Sequence, residues 1–269
     1  MKPILLSLFL GMLTVSVYAV DNLRSPDVRS VGMGGNVVTQ SVLFNPALIV
    51  QQENKSIHLE YFNKYTLKEL STLSASFHFP NDFLSTGVDI SVFGFDAYRE
   101  VMLRGFVGKR LSERWALGVG VHYSFLQSDL AEDAVKRLSA DVGLTFEPVD
   151  KLLVGLLIVN LPSVTFGNEE LDVDDFNYYL VQVGFQWEII NNLLIVGSVG
   201  TDNEHSWIGN IGLEYTAFDS FFIRAGVQTE PLLPSVGVGY NFACFQVDVA
   251  AVYHSTLGVS TGVGISFYF

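Results

Sequence analysis

From about Ser56 to the C-terminus, apolar residues alternate with small or polar ones at a period of two, the pattern of strands with one greasy face. The last segment shows it best. Its odd positions are Leu257, Val259, Thr261, Val263, Ile265, Phe267 and Phe269, and its even ones are Gly258, Ser260, Gly262, Gly264, Ser266 and Tyr268. The same split separates Val236, Val238, Tyr240 and Phe242 from Gly237, Gly239 and Asn241, and Leu117, Val119, Val121 and Tyr123 from Gly118, Gly120 and His122. It recurs around residues 138–146, 179–188 and 246–253, and more weakly near residues 56, 71, 85, 101, 152, 193, 207 and 221. Counted together, these segments predict about fourteen strands, an even number.

The spacing of the breaks adds a direction. Compact turns are expected at residues 80–82, 147–151, 191–192, 218–220 and at Cys244, and longer connections at residues 127–137 and 161–177, in alternate gaps. Short turns on one side and long loops on the other, with an even strand count, put both chain ends on the short-turn side. In a bacterial outer-membrane barrel that side is periplasmic. Phe79, Phe146, Trp187, Phe218, Phe242 and Phe269 fall near that rim and read as an interfacial girdle.

Alternation alone also fits a soluble β-sandwich or a lipocalin-like barrel with its greasy face inward. Composition separates the two. The chain is 49% hydrophobic and only 16% charged, and its second face carries glycine and serine where a water-exposed face would carry lysine and glutamate. Beyond residue 20 no apolar run is long enough for a spanning helix; the longest, residues 152–161, contains Asn160. In lipid only helices and closed barrels satisfy every backbone group. The expected fold is therefore all-β, a transmembrane antiparallel up-and-down barrel over residues 56–269.

The start of the chain reads Met1-Lys2-Pro3, then an apolar stretch over residues 4–17 closing on Tyr18 and Ala19, the layout of a secretory signal peptide over residues 1–19 with cleavage before Val20. The lone Cys244 lies too far downstream to be lipidated and has no partner for a disulfide. A net charge of -13, with fifteen Lys and Arg scattered along the chain, argues against nucleic acid, which needs a clustered basic surface.

Residues 20–55 do not read as strand. They contain Arg29-Ser30-Val31-Gly32-Met33-Gly34-Gly35-Asn36, then Phe44-Asn45-Pro46-Ala47-Leu48. This stretch resembles the N-terminal segment of FadL-like outer-membrane barrels, particularly the PorV/PorQ branch, in which a glycine-rich run precedes an Asn-Pro-Ala motif just ahead of the first strand. Gly32, Gly34, Gly35, Asn45, Pro46 and Ala47 carry the match. The resemblance implies a fourteen-stranded barrel plugged by its N-terminal segment, with Asn and Pro capping a short helix or turn inside the lumen. Inward Gly118, Gly120, Gly143, Gly184, Gly212, Gly237 and Gly239 would leave room for it. The outer loops are shorter than is typical of FadL-like transporters, so no large extracellular crown is expected.

The resemblance further implies a non-enzymatic protein with one of two roles. One passes small hydrophobic molecules through the plugged lumen, lined by inward aromatics such as Phe106 and Phe222. The other is a PorV/PorQ-type component of type IX protein secretion or surface attachment. Expected partners are outer-membrane lipid and lipopolysaccharide, the barrel-assembly machinery reading Gly264, Phe267 and Phe269 in the last strand, and hydrophobic small molecules or secretion-system proteins.

Inward charges Glu60, Asp89, Arg104, Asp141, Glu188, Glu214, Arg224 and Asp248 read as lumen ion pairs, some to the plug, in preference to a selectivity filter. His58, His78 and His122 fall on the inward face without metal-binding spacing, so no metal or cofactor is expected. A third reading, an outer-membrane barrel enzyme, would use Ser76, His78 and Asp89 as a nucleophile set, but nothing in the sequence brings them together. Gly32-x-Gly34 is not a dinucleotide loop, having no strand before it and no βαβ unit after it. Acidic Glu169, Glu170, Asp172, Asp174 and Asp175 suit a solvated loop better than a divalent-ion site bridging lipopolysaccharide.

Overall fold

In the computed structural model of this chain, residues 27–129, 134–166, 179–203 and 207–269 are described. Their strands are β1 (Ser56–Asn63), β2 (Ser71–Phe79), β3 (Ser85–Phe95), β4 (Tyr98–Arg110), β5 (Trp115–Ser128), β6 (Val135–Val149), β7 (Leu152–Val159), β8 (Ser163–Phe166), β9 (Leu180–Ile190), β10 (Leu193–Asp202), β11 (Ile208–Ala217), β12 (Phe221–Gln228), β13 (Leu233–Asn241), β14 (Phe245–His254) and β15 (Gly258–Tyr268). Each strand pairs antiparallel with its neighbours, and β1 closes the ring on β15, with Ser56 opposite Tyr268 and Asn63 opposite Thr261. β7 and β8 lie end to end along β6, the first beside residues 142–149 and the second beside Lys136 to Ser139. They form a single interrupted stave, so the barrel has fourteen.

Closure of β1 on β15 and of β5 on β6 leaves no open edge among the described strands except along the short β8, and the alternation then sorts residues to two surfaces. Outward stand Leu59, Leu73, Val88, Leu103, Val121, Val183, Ile211, Val236 and Val263, all exposed; the positions between them are buried or half-buried. Among the described strands the outward-facing charges are Arg99, Lys109 and Lys136, and each stands one residue from a strand end. The outer wall is thus apolar across its middle and polar only at its margins, the surface that hydrocarbon accepts and water does not.

The start of β1 and the C-terminus share one rim, where the connections are residues 80–84, 111–114, 150–151, 191–192, 218–220 and 242–244. Aromatic rings gather there: Trp115 stacks on Phe146 at 4.2 Å, Phe242 on Phe245 at 4.4 Å, and Phe269 on Phe77 at 6.3 Å. The turns expected at residues 80–82 and at Cys244 are longer, at 80–84 and 242–244, whereas others are trimmed by longer strands. β6 continues through an irregularity to Val149, which narrows the turn after it, and β5 and β6 leave only residues 129–134 of the loop expected over 127–137. β8 lies within what the pattern reads as loop, because a four-residue strand is too short to show a period.

Residues 27–52 run along the inner wall. Helix α1 (Val28–Gly32) opens with Asp27, whose side chain accepts from the Ser30 amide. A 3-10 turn over Pro46–Gln51 opens with Asn45 in the same way. From Val28 onward the segment meets the strands in reverse chain order: Val28 lies against Gly262 of β15, Gly32 against Gly237 of β13, and Met33 against Gly212 of β11. Val38 then packs on Gly184 of β9 and Gly155 of β7, Asn45 on Gly143 of β6, Ala47 on Gly118 of β5, and Ile49 on Gly108 of β4. The apolar core sits between segment and wall: Val37, Val38 and Phe44 with Leu157, Val159 and Leu180, and Val28 and Val31 with Phe62 and Ala250.

Candidate functional site

The interior of the barrel holds most of the chemistry. Gly34 and Gly35 take φ of +75° and +72°, where side chains are strained, and a Cβ on Gly34 would stand 2.7 Å from the Ile211 carbonyl oxygen and the Val227 amide. The Gly34 amide instead donates to Ser235 Oγ at 2.9 Å, and its carbonyl accepts from Asn210 Nδ2 at 2.6 Å. Gly32 passes so close to Gly237 that a Cβ would be 3.1 Å from its Cα. Asn45 is fully buried; its side-chain oxygen accepts from the Ala47 amide at 3.1 Å and its Nδ2 donates to the Val38 carbonyl at 2.6 Å. Pro46 opens the 3-10 turn, where a missing amide costs nothing.

Two buried guanidinium groups tie this segment to the wall. On β4, Arg104 pairs with Asp141 of β6 at 3.2 Å and donates to the carbonyls of Val42, Leu43 and Phe44, the three residues before Asn45. His122 Nδ1 lies 3.5 Å from the same carboxylate, whose other oxygen accepts from the Asn160 amide at 3.0 Å. On β12, Arg224 pairs with Glu214 of β11 at 2.6 Å and with Asp248 of β14 at 2.5 Å. Arg29 of the segment grips the same Glu214 through two nitrogens, at 2.9 and 2.8 Å. Gly120 and Gly239 make room for these guanidinium groups. Buried charge is tolerable only when paired in this way.

Of the expected lumen charges, Glu60, Asp89, Arg104, Asp141, Glu214, Arg224 and Asp248 point inward; Glu60 accepts from the Val28 amide and Asp89 faces Arg104 across the β3–β4 register. Glu188 differs. It stands at the short-turn rim, partly exposed, 3.2 Å from Lys151 Nζ, because residue parity sets a face and not a depth. Gly264 faces Val28, whereas Phe267 and Phe269 are exposed. Phe106 is buried with its ring over Gly87, and Phe222 lies 5.4 Å from the Arg224 guanidinium.

Ser76 faces Asp89 across the β2–β3 register, and His78 Nδ1 pairs with Gln52 at 3.0 Å. His58 and His78 lie 4.6 Å apart, ring centre to ring centre. Among the described residues no three His, Cys, Asp or Glu side chains gather as a metal site. The signal-peptide residues and the acidic residues 169–175 lie outside the described residues.

Sequence reasoning missed Arg29 and Gln52 as tethers. A signal for the first existed: Arg29 is the one charged residue between positions 28 and 52.

No protein-family model matches the sequence, and no curated protein does. Solved structures do. A Pseudomonas aeruginosa FadL homologue superposes with a TM-score of 0.62 at 12% identity over 93% of this chain and 98% of that one. The Ralstonia pickettii toluene transporter TbuX gives 0.65 at 12% over 93% and 100%, and the P. putida toluene transporter TodX gives 0.65 at 12% over 89% and 97%. At such identities the likeness is one of fold. By its closed antiparallel ring of fourteen staves, this chain has the fold of the FadL-like barrels.

Proposed function

We propose that this chain is an outer-membrane channel of FadL type that passes small hydrophobic compounds through a lumen plugged by its N-terminal segment. The observation that carries the reading is the pairing of an apolar outer wall with an inner wall contoured by glycine to hold residues 27–52. The likeness to the toluene transporters TbuX and TodX supports it. In this reading residues 1–19 are removed on export, the barrel-assembly machinery reads the last strand, and the short-turn rim faces the periplasm. Lipid and lipopolysaccharide then surround the wall. Protein reconstituted into liposomes should raise the uptake of a labelled aromatic hydrocarbon above that of empty vesicles; uptake equal to the empty vesicles overturns the proposal.

A second reading, a PorV/PorQ-like secretion or surface-attachment component that transports nothing, is favoured by the double tether of the segment through Arg29 and Arg104. It predicts stable co-purification with secretion components and loss of cargo export on deletion. Normal export in a deletion strain rejects it.

A further inference from the structure

At the rim opposite the short turns, the connection from β1 to β2, residues 64–70, bends inward over the mouth of the barrel. At its base Asn63 faces Ser71, and Asn63 Nδ2 donates to Ser71 Oγ at 2.9 Å and to the Leu67 carbonyl at 2.5 Å. The Lys64 amide donates to the Leu70 carbonyl at 2.9 Å, which draws back a 3-10 turn over Lys68–Leu70. Leu70 thereby packs on Phe93 of β3 and Met102 of β4, inward side chains only 3% and 2% exposed. Above them Thr66, Leu67, Lys68 and Glu69 stay exposed. Among the described connections of this rim, this one alone sends a side chain into a buried apolar cluster.

The tip of the connection is fastened across the seam. The Tyr65 amide donates to Ser260 Oγ of β15 at 3.1 Å, and the Tyr65 ring meets His254 of β14 edge to face at 6.0 Å. His254 is fixed in turn, its Nδ1 accepting from the amides of Thr256 and Leu257, each at 3.1 Å. Reaching that fastening strains the backbone. Tyr65 and Thr66 take φ of +55° and +59°, left-handed values at two successive residues that are not glycine, the second of them β-branched. Such strain persists only while the surroundings hold it. Here the fastening is a serine hydroxyl, an edge-on ring and the Leu70 side chain, and a segment with few buried apolar contacts opens at low cost.

We propose that residues 64–70 are a gate over this mouth, with Tyr65 as its latch and Leu70 as the cover that swings off Phe93 and Met102. Opening bares apolar surface at the entrance, which a hydrophobic compound leaving water would meet first. The proposal rests on the channel reading above.

The chain carries its own reporters. Beyond residue 19 its methionines are Met33 and Met102. Met102 lies beneath Leu70, whereas Met33 is buried in the N-terminal segment against Gly212 and serves as the control. Oxidation of each by chloramine-T is followed by mass spectrometry on the folded protein in detergent, with Cys244→Ser as a parent free of thiols. A disulfide between Tyr65→Cys and Ser260→Cys fixes the latch shut. Met102 oxidation should then fall about tenfold below the parent, with Met33 within about twofold. Leu70→Ser should raise Met102 oxidation about fivefold and leave Met33 unchanged. Equal Met102 rates in latched and parent proteins overturn the proposal. An unchanged Met102 rate in Leu70→Ser also overturns it, and that comparison stands even if the disulfide does not form. In liposomes the latched protein should pass labelled toluene about tenfold more slowly than the parent and recover on reduction. Uptake undiminished by latching overturns the gate and leaves the channel standing. Parent uptake equal to that of empty vesicles overturns the channel, and the methionine rates then decide the gate by themselves.

Discussion

Arg104 shows how much a single side chain carries inside this barrel. It neutralises Asp141 and holds three successive carbonyls of the N-terminal segment, so its removal strips both and leaves a buried carboxylate without its cation. Arg104→Met should destabilise the folded barrel by about 3–5 kcal/mol, the range for breaking one side of a buried ion pair, read from urea unfolding in micelles. Glycines make a second contrast. A Cβ on Gly143 would overlap Asn45 Oδ1, whereas one on the outward Gly105 meets nothing within 4 Å. Gly143→Ala should therefore cost about 1–3 kcal/mol by overpacking. Gly105→Ala should stay within about 0.5 kcal/mol of the unmodified protein in the same unfolding series. At this scale the sequence revealed which face a residue takes and little else. Parity turned Arg104 and Asp141 inward; that they meet depends on the sheet register, and Glu188 lies at the rim because parity carries no depth.

The N-terminal segment was legible as an element because its glycines and its Asn-Pro pair break the alternation; its path along the wall was not, since each contact is a match of shapes between distant parts of the chain. Asn45 does two jobs there, capping the 3-10 turn and bracing Val38. Asn45→Ala should cost about 1 kcal/mol for the cap. It should also speed protease cleavage between residues 38 and 50, followed by mass spectrometry of the released fragments; unchanged cleavage would show that neighbouring apolar contacts suffice. Among the strands, the pattern reads β7 as strand and β8 as loop, because Asn160, with φ of +59°, and the following Leu161-Pro162 interrupt the period just where the stave continues.

For the whole molecule, the alternation and the scarcity of charge foretold the barrel and its strand number, since a closed ring in lipid has few other ways to satisfy its backbone. The direction of the greasy face has a sharp test. Val263 lies outward at the middle of β15, so Val263→Arg should cost about 2–4 kcal/mol in lipid vesicles, whereas the same change at Phe269, at the rim, should cost about 0–1 kcal/mol. Equal costs at the two depths would place the apolar wall somewhere other than in a bilayer.

Because the segment passes the staves backwards, the distance along the chain spanned by its contacts climbs steadily: 26 residues from Gln52 to His78, 61 from Leu43 to Arg104, 185 from Arg29 to Glu214. Its tail therefore finds its partners while the wall is still short, and its head must wait for staves that are made last. Docking of Val28 and sealing of the β1–β15 seam become one late event, like the final tooth of a zip. Pulse-labelled amide exchange during refolding into micelles should protect Ala47 before Gly34, and the reverse order would mean that the wall closes first and the segment is threaded in afterwards.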